Sequence, residues 1–165
     1  MKLEEIMLDP HQWVPNNGKF PVLFYRHVFV GTDRAAEIEK MFSTNGWTSI
    51  WHDGIFGYHH HHSGAHEVLG IAPGTGTLMI GGPGGEEINV SSGDCLLLPA
   101  GTGHRNLRSS PDFHVVGAYP PGQHADIVTD APSKEQQLSI DGLPVPESDP
   151  VLGRSAGLVT IWTRR

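Results

Sequence analysis

From residue 47 onward, short runs of apolar and β-branched residues alternate with turns rich in glycine and proline. The runs are about five to seven residues long, and in chain order they are WTSIW, EVLGI, GTLMI, EEINV, DCLLLPA, FHVVGAY and GLVTIW. Turn clusters such as APGTG, GGPGG and PAGTG separate them. Strands at this spacing, with no long helix between them, are typical of an all-β sandwich or barrel and not of parallel crossover units.

One segment near the start, TDRAAEIEKMFSTNG, has helical periodicity. Its apolar side chains recur at the spacing of one helix face, at Ala35, Ile38, Met41 and Phe42. Thr32 or Asp33 can cap the N-terminus, and Gly46 stands where a helix ends. The pattern predicts one short helix at about 33–45, preceded by a strand within PVLFYRHVFV at 21–30.

These elements predict one domain that spans residues 1–165. Residues 1–46 are expected to form an N-terminal extension that contains the helix, and residues 47–128 the barrel core. Residues 129–165 are predicted to form a polar, proline-rich surface loop followed by a terminal strand, GLVTIW. A sheet edge or this terminal strand could pair with a second copy of the chain, so a homodimer is one expectation.

The composition narrows the class of protein further. A formal net charge of −7 argues against nucleic acid or an acidic membrane surface as a partner. The single cysteine, Cys95, excludes an internal disulfide and is expected to be a small buried residue. No run approaches the roughly 18 apolar residues of a membrane span, and the acidic start MKLEEIMLDP does not resemble a signal peptide. We therefore expect a cytoplasmic protein that binds neither nucleic acid nor a membrane.

Histidine is the unusual residue type, with 11 copies, several of which lie in GYHHHHSGAHEVLG at 57–70. If the run is extended, His60 and His62 share one face, whereas His59 and His61 point to the other. The turn SGAH can fold the next strand back, so that Glu67 converges with the first pair. A purification tag does not explain the run of four histidines, because such tags are normally terminal and this run lies in mid-chain. The alternative to a metal site is a solvated loop of histidines.

Two further histidines bear on this arrangement. His104 follows the PAGTG bend and begins the next strand, where a tight glycine turn fixes its direction. His66 precedes Glu67, and a register slip of one residue would exchange the two.

Two sequence motifs resemble those of the cupins. The first, G-x5-H-x-H-x3,4-E-x6-G, is filled by Gly54, His60, His62, Glu67 and Gly74. The second, G-x5-P-x-G-x2-H-x3-N, is filled by Gly93, Pro99, Gly101 and His104. Arg108 stands in place of the final asparagine, which is outside the ligand set. The chain is similar over most of its length to small bacterial single-domain cupins.

The resemblance implies a cupin-type double-stranded β-helix, a jelly-roll barrel, with one metal ion held at its mouth by His60, His62, Glu67 and His104. Such a mixed nitrogen and oxygen donor set suits divalent iron, manganese, nickel or zinc better than calcium. A structural zinc site is less expected, because those sites are closed and usually contain cysteine.

Two classes of function follow from this resemblance. One is a metal-dependent enzyme of the dioxygenase, lyase or isomerase type that acts on a small polar or carboxylate molecule. The other is a non-catalytic cupin that binds or senses a metal or a sugar-like small molecule. The resemblance identifies no catalytic acid or base.

Several other residues near the motifs are candidates for the pocket. Trp51 and Tyr58 are interpreted by default as core aromatics. His114 and Tyr119 have opposite strand parity, so at most one of them should face the barrel interior unless a bulge intervenes.

Charged and nucleophilic candidates are few. Arg26 and Arg105 could bind an anionic substrate, although arginines are mostly surface groups. Cys95 has no evident base partner that would make it a nucleophile.

Overall fold

The computed structural model describes residues 1–30 and 33–164. Within them the chain forms nine strands and three helices. The strands are β1 (Lys2–Ile6), β2 (Val22–Arg26), β3 (Thr48–Asp53), β4 (Glu67–Ile71), β5 (Thr75–Ile80), β6 (Glu86–Ser91), β7 (Cys95–Leu98), β8 (His104–Ser109) and β9 (Val115–Tyr119). The helices are α1 (Ala35–Thr44), α2 (Lys134–Gly142) and α3 (Leu158–Ile161).

The strands form two antiparallel sheets, of order β1-β2-β7-β4-β9-β3 and β6-β5-β8. A short extended stretch at 60–62 joins the second sheet, because His60 bridges His104 at the start of β8. From β3 onward the chain therefore crosses repeatedly between layers, with β3, β9, β4 and β7 in one and the 60–62 stretch, β8, β5 and β6 in the other. This is the connectivity of a jelly roll. The prediction of an all-β, cupin-type jelly-roll barrel is confirmed.

The central strands of the larger sheet, β2, β7, β4 and β9, are buried on both faces, which explains their almost continuous apolar runs. One face turns toward the small sheet and packs a cluster that contains Leu69, Ile71, Leu78, Ile80 and Leu96. The other face packs against α1 and α3 through a second cluster that contains Ile38, Phe42, Val68, Leu97 and Leu158. In β4, Glu67 has the parity of Leu69 and Ile71, so the fold directs Glu67 toward the barrel interior.

The predicted N-terminal helix is present as α1, and Gly46 follows it with φ of +82°, as a helix-ending glycine does. The predicted cap is wrong for Asp33: Arg34 is the N-cap residue, with no side-chain cap, although Asp33 Oδ1 accepts a hydrogen bond from the Ala35 backbone. Thr32 lies outside the described residues. The helix packs closely on β4 at Gly70, where a Cβ would lie 2.5 Å from the Cγ2 atom of Ile38.

Two element predictions for the C-terminal region are wrong. The segment predicted as a loop contains α2, which begins with a capping box between Ser133 and Gln136. The segment GLVTIW, predicted as the terminal strand, forms α3 and the residues after it. Leu158 and Trp162 of this segment are 0% and 4% exposed, so packing against the same chain overrides their strand propensity. At the other end, β1 is a strand where irregular structure was expected.

Asp149 fixes the C-terminal segment to the barrel. Its carboxylate is fully buried and accepts a hydrogen bond from the hydroxyl of Tyr25. It also accepts from the backbone N–H groups of Val151 and Leu152, both at 2.7 Å, and of Leu158 at 2.8 Å. Burial, and then the charge of Asp149, raise the pKa of Tyr25 far above its usual range. These four donors make Asp149 an anchor between β2 and the start of α3.

Cys95 is fully buried and free, and burial raises the pKa of its thiol. The prediction of a small buried residue is confirmed. Across residues 1–30 and 33–164, no helix combines the length and hydropathy that crossing a bilayer requires.

Candidate metal centre

Three buried histidines meet at one end of the barrel. His60 and His62 come from the 60–62 stretch, and His104 is the first residue of β8. The backbones of His60 and His104 exchange hydrogen bonds of 3.0 and 3.3 Å, which places their side chains next to each other. One ring nitrogen from each of the three lies within 4.8 Å of the others. The cluster is therefore compact enough to hold a metal ion.

Glu67 enters the same cluster from β4. Its Oε1 atom lies 3.2 Å from His62 Nε2 and 3.3 Å from His104 Nε2. All four side chains are nearly inaccessible, since the residues are between 2% and 8% exposed. The structure thus brings together the four residues that the motifs single out. Their role as metal ligands stays a prediction.

The hydrogen bonds of the three imidazoles fix which nitrogen faces the centre. His60 Nδ1 lies 3.1 Å from the carbonyl oxygen of Tyr58, and His104 Nδ1 lies 3.0 Å from that of Thr102. His62 Nδ1 contacts the carbonyl oxygen of Asp126. A carbonyl oxygen can only accept, so each Nδ1 must carry a proton and donate it. In the neutral rings, each Nε2 then keeps a lone pair, which is the tautomer that a metal requires.

This arrangement needs a cation. Lone pairs on His62 Nε2 and His104 Nε2 would face a carboxylate oxygen at 3.2–3.3 Å, and such contacts repel unless a proton or a metal ion lies among them. Without metal the proton binds His62: burial would lower its pKa, but Glu67 raises the pKa to about 9. Burial would raise the pKa of Glu67, yet His62 and His104 hold it well below its usual range. Burial, and then His104, lower the pKa of His60 to about 3.

Metal binding should therefore displace about one proton at neutral pH. His62 is protonated below a pKa of about 9 in the metal-free protein, so apparent affinity should rise about tenfold per pH unit between pH 6 and pH 8. Calorimetric titration with Co(II) in two buffers of different ionisation enthalpy measures the proton count. Glu67→Gln, which removes the charge that holds this proton, should abolish the release at pH 8. Affinity that is constant above pH 7 in the unsubstituted protein would contradict this assignment.

A segment at 123–128 clamps the histidine turn in place. His61 and Val128 exchange backbone hydrogen bonds of 2.9 Å. The carboxylate of Asp126 accepts from the backbone of Ser63 at 2.6 Å, from the backbone of Gly64 at 3.1 Å, and from the Ser63 hydroxyl. Burial acts to raise the pKa of Asp126, but the Ser63 and Gly64 hydrogen bonds lower it. Asp126 thus holds the turn with its side chain and orients His62 with its carbonyl.

Asp126→Ala should lower metal affinity about tenfold without changing the saturating stoichiometry, because an unclamped turn no longer fixes His62. Asp130→Ala is the matched control, since the Asp130 carboxylate accepts from the backbone of Ala131 at 2.8 Å, away from the turn. Competition against a chelator of known affinity measures both variants. Equal affinities for the two would show that the clamp does not act on the site.

The remaining histidines of the run lie outside the cluster. His61 is fully buried, contacts the Trp13 ring, and has Nε2 at 3.2 Å from the carbonyl oxygen of Asp130. His59 is half-buried, and burial, together with the charge of Arg105, lowers its pKa. Neither residue joins the three-histidine group, as the alternation predicted for the run requires.

His66, the alternative to Glu67, belongs to the opposite side of the sheet. Its Nδ1 atom accepts a hydrogen bond from the Ala100 backbone at 2.9 Å. Its ring contacts Phe20 and Trp162, with centroid distances of 6.1 and 5.0 Å. The register of β4 therefore places Glu67, and not His66, beside His62 and His104.

A cavity of about 290 Å³ opens above the cluster. Besides the four clustered residues, it is lined by Trp51, His52, Asp53, Gly54, Ile55, Phe56, Leu69, Tyr119, Ala125 and Ile127. Trp51 Nε1 donates to the Tyr119 hydroxyl at 2.9 Å, and that hydroxyl also hydrogen-bonds Glu67. Burial, and then Glu67, raise the pKa of Tyr119. The neutral hydroxyl therefore links the cavity wall to the cluster.

The indole of Trp51 occupies space left by Gly117 on the neighbouring strand. A Cβ at Gly117 would lie 2.0 Å from the Cε2 atom of this ring, so only glycine allows the observed position. Trp51 is half-buried and lines the cavity, and Tyr58 is 47% exposed and stacked on Phe56. The default interpretation as core aromatics is wrong for Tyr58, whereas Trp51 packs against the interior cluster and also lines the cavity.

The parity prediction for β9 is confirmed. Tyr119 lines the cavity, whereas His114 does not and instead has Nε2 at 2.9 Å from His52 Nδ1. Neither arginine that was considered for anion binding lines the cavity. Arg26 pairs with Glu4 at 3.3 Å and lies over the Phe24 ring.

Sequence reasoning did not identify Asp126, Phe56 or Ile127. Asp126 contacts His62, Ser63 and Gly64, which lie more than 60 positions earlier in the chain. No local sequence pattern marks such a contact. Phe56 and Ile127 follow no motif, and their place at the cavity depends on where two loops cross.

Comparison with known proteins identifies a sequence relative of this chain. No family model matches the chain. An uncharacterised protein of Bacillus subtilis (strain 168), YjlB, is 37% identical over 153 residues, which cover 92% of this chain and 91% of that protein. The chain belongs to the YjlB family. Alignment over almost the full length of both proteins indicates that the family shares the whole fold and not the barrel alone.

A solved structure overlaps the chain loosely. It is the acireductone dioxygenase of Bacillus anthracis with a cadmium ion in its active centre, at 21% identity and a TM-score of 0.37. The overlap covers 58% of this chain and 59% of that one. The jelly-roll description given above for this YjlB-family chain therefore depends on its own strand order.

Proposed function

We propose that this protein is a metal-dependent cupin enzyme that binds one divalent transition metal through His60, His62, Glu67 and His104. The observation that carries the proposal is the close grouping of ring nitrogens from His60, His62 and His104, each with its Nδ1 held by a backbone carbonyl, beside the buried carboxylate of Glu67. Donors of this type fit iron, manganese, nickel or zinc. A bound ion would supply a Lewis acid or a redox centre to a small molecule in the cavity.

The chain's own residues supply orientation and exclusion of water. The carbonyls of Tyr58, Asp126 and Thr102 hold the imidazole rings in position. The Tyr119 hydroxyl stays protonated, accepts a hydrogen bond from Trp51 and donates one to Glu67, so it holds the Glu67 carboxylate in position. The apolar wall limits the entry of water, which strengthens each of these electrostatic contacts.

Dioxygenase and lyase reactions are the two reaction classes that we propose to test first. Protein loaded separately with Fe(II), Mn(II), Ni(II) or Zn(II) should consume oxygen or form product with at least one member of a panel of small acids, thiols and catechols. Glu67→Gln, loaded with the same metal, is the control and should lose the activity. Inactivity of every metal form would count against an enzyme.

A non-catalytic binding protein is the second candidate. One observation favours it: apart from the four proposed ligands and Tyr119, the titratable groups among the described lining residues are His52 and Asp53, both exposed. A tight ligand that the metal-loaded protein leaves chemically unchanged would support this alternative.

Three further expectations from the sequence stay predictions. They are that the chain forms one domain, that it forms a homodimer, and that it is cytoplasmic.

A further inference from the structure

Apart from the four clustered residues, the cavity above the cluster is lined mostly by apolar side chains. Trp51 and Ile55 come from β3 and the residues that follow it, Leu69 from β4, and Ala125 and Ile127 from the 123–128 segment. Phe56 adds an aromatic ring. Of the residues that the structure describes, neither a lysine nor an arginine lines this cavity. A molecule inside it therefore meets hydrocarbon and aromatic surface everywhere except at the cluster and the mouth.

This lining disfavours two substrate classes. A phosphate, or a second carboxylate away from the ion, would find neither a lysine nor an arginine, and it would lie near Glu67 and Asp53. Both ring nitrogens of His52 are already engaged, by His114 and Glu39 at 2.9 Å each. Desolvating an unpaired charge in this way is strongly unfavourable. A polyol would leave most of its hydroxyls without partners, because the Tyr119 hydroxyl already bonds to Trp51 and Glu67.

Phe56, which lines the cavity, and Tyr58, which stacks on it, indicate what the lining favours. Phe56 and Tyr58 stack with their ring centroids 4.9 Å apart and nearly parallel, at 12°. They are 43% and 47% exposed, so both rings retain unburied surface, and Phe56 is the one of the two that lines the cavity. Phe56 also meets the His60 ring edge to face at 5.1 Å. A flat ring bound here would bury that surface while remaining close to the cluster.

From this lining we infer that the site takes a small molecule with a flat, apolar body, such as an aromatic ring, and a single oxygen-chelating head. The head binds the ion, and the body lies against Phe56 and the wall formed by Trp51 and Ile127. The inference rests on the proposed metal site. It narrows the polar or carboxylate substrate expected from the sequence to one whose polar atoms are confined to one end.

Two hydroxamic acids test the inference, because they share a chelating head and differ only in the body. Benzohydroxamic acid carries a phenyl ring and acetohydroxamic acid a methyl group. On the Co(II)-loaded protein, the phenyl compound should bind at least about tenfold more tightly, as expected for burial of one ring. Calorimetry gives the affinities, and the visible spectrum of cobalt reports coordination. Oxalate, a compact dianion with no apolar body, should bind more weakly than benzohydroxamic acid.

Phe56→Ala tests whether Phe56 is responsible for the tighter binding of benzohydroxamic acid. This variant should retain one cobalt per chain and reduce the affinity ratio of the two hydroxamic acids to about threefold or less. Leu138→Ala is the matched control, because Leu138 is 63% exposed on α2 and does not line the cavity. It should leave the ratio unchanged. Equal affinities on cobalt-loaded protein, or tighter binding of oxalate, would overturn this inference alone. A protein that binds no cobalt would overturn the proposed function as well.

Discussion

His104→Ala should reduce bound metal from about one equivalent per chain to a trace, with affinity lowered by at least about 100-fold. His104 supplies one of three converging Nε2 atoms and contacts Glu67 at 3.3 Å, so its removal opens the cluster on one side. Elemental analysis of protein dialysed against a fixed free-metal concentration measures the loss. Circular dichroism should show that the barrel is intact, because strand packing and not the ion supplies the core.

His59→Ala is the control for this experiment. His59 neighbours the cluster in sequence but lies outside the three-histidine group, so the variant should retain its metal. Similar losses from His104→Ala and His59→Ala would show that the strand alternation assigned to the run is wrong. Chelation of the unsubstituted protein should likewise leave it folded, and a metal-free chain that melts into a coil would contradict the independence of fold and ion.

Asp149→Ala should lower the free energy of unfolding by about 3 to 5 kcal/mol, the largest stability effect that we expect from a single substitution. The change leaves the Tyr25 hydroxyl and the N–H groups of Val151, Leu152 and Leu158 without their common acceptor in a buried location. Urea denaturation monitored by tryptophan fluorescence measures the loss. The rigid attachment of the C-terminal segment should weaken with it.

Glu87→Ala serves as the comparison, because Glu87 is an exposed residue of β6. It should change stability by no more than about 0.5 kcal/mol. Tyr25→Phe, which removes one donor and keeps the carboxylate, should fall between the two variants. If Asp149→Ala unfolded at the same urea concentration as Glu87→Ala, the buried anchor would not be a stabilising element.

The barrel could be predicted from sequence because its signals are local. Alternation within strands, glycine turns and the two motifs each span a few residues, and they placed Glu67 on the correct face of β4. The C-terminal region could not be predicted in the same way. Leu158 and Trp162 have the composition of a strand, and a helix forms there because the segment packs against the larger sheet and Asp149 binds the Leu158 backbone.

The ligand cluster could likewise be predicted from local sequence, whereas the cavity wall could not. Spacing alone brought out His60, His62 and His104, because a motif records a fixed turn geometry. The wall of the cavity depends on contacts between distant segments, as between Asp126 and Ser63. The local sequence of β3 predicts a core position for Trp51. Trp51 faces the cavity because Gly117, far along the chain, leaves room for its ring.

The pairing of Gly117 with the indole has a consequence for how the pocket can diversify. A side chain at position 117 would overlap the Trp51 ring, so even a methyl group there forces the indole to move. The indole would carry its hydrogen bond to Tyr119 with it or break that bond. Homologues that differ at this position should therefore accept differently shaped molecules, although residue 117 itself never touches what is bound.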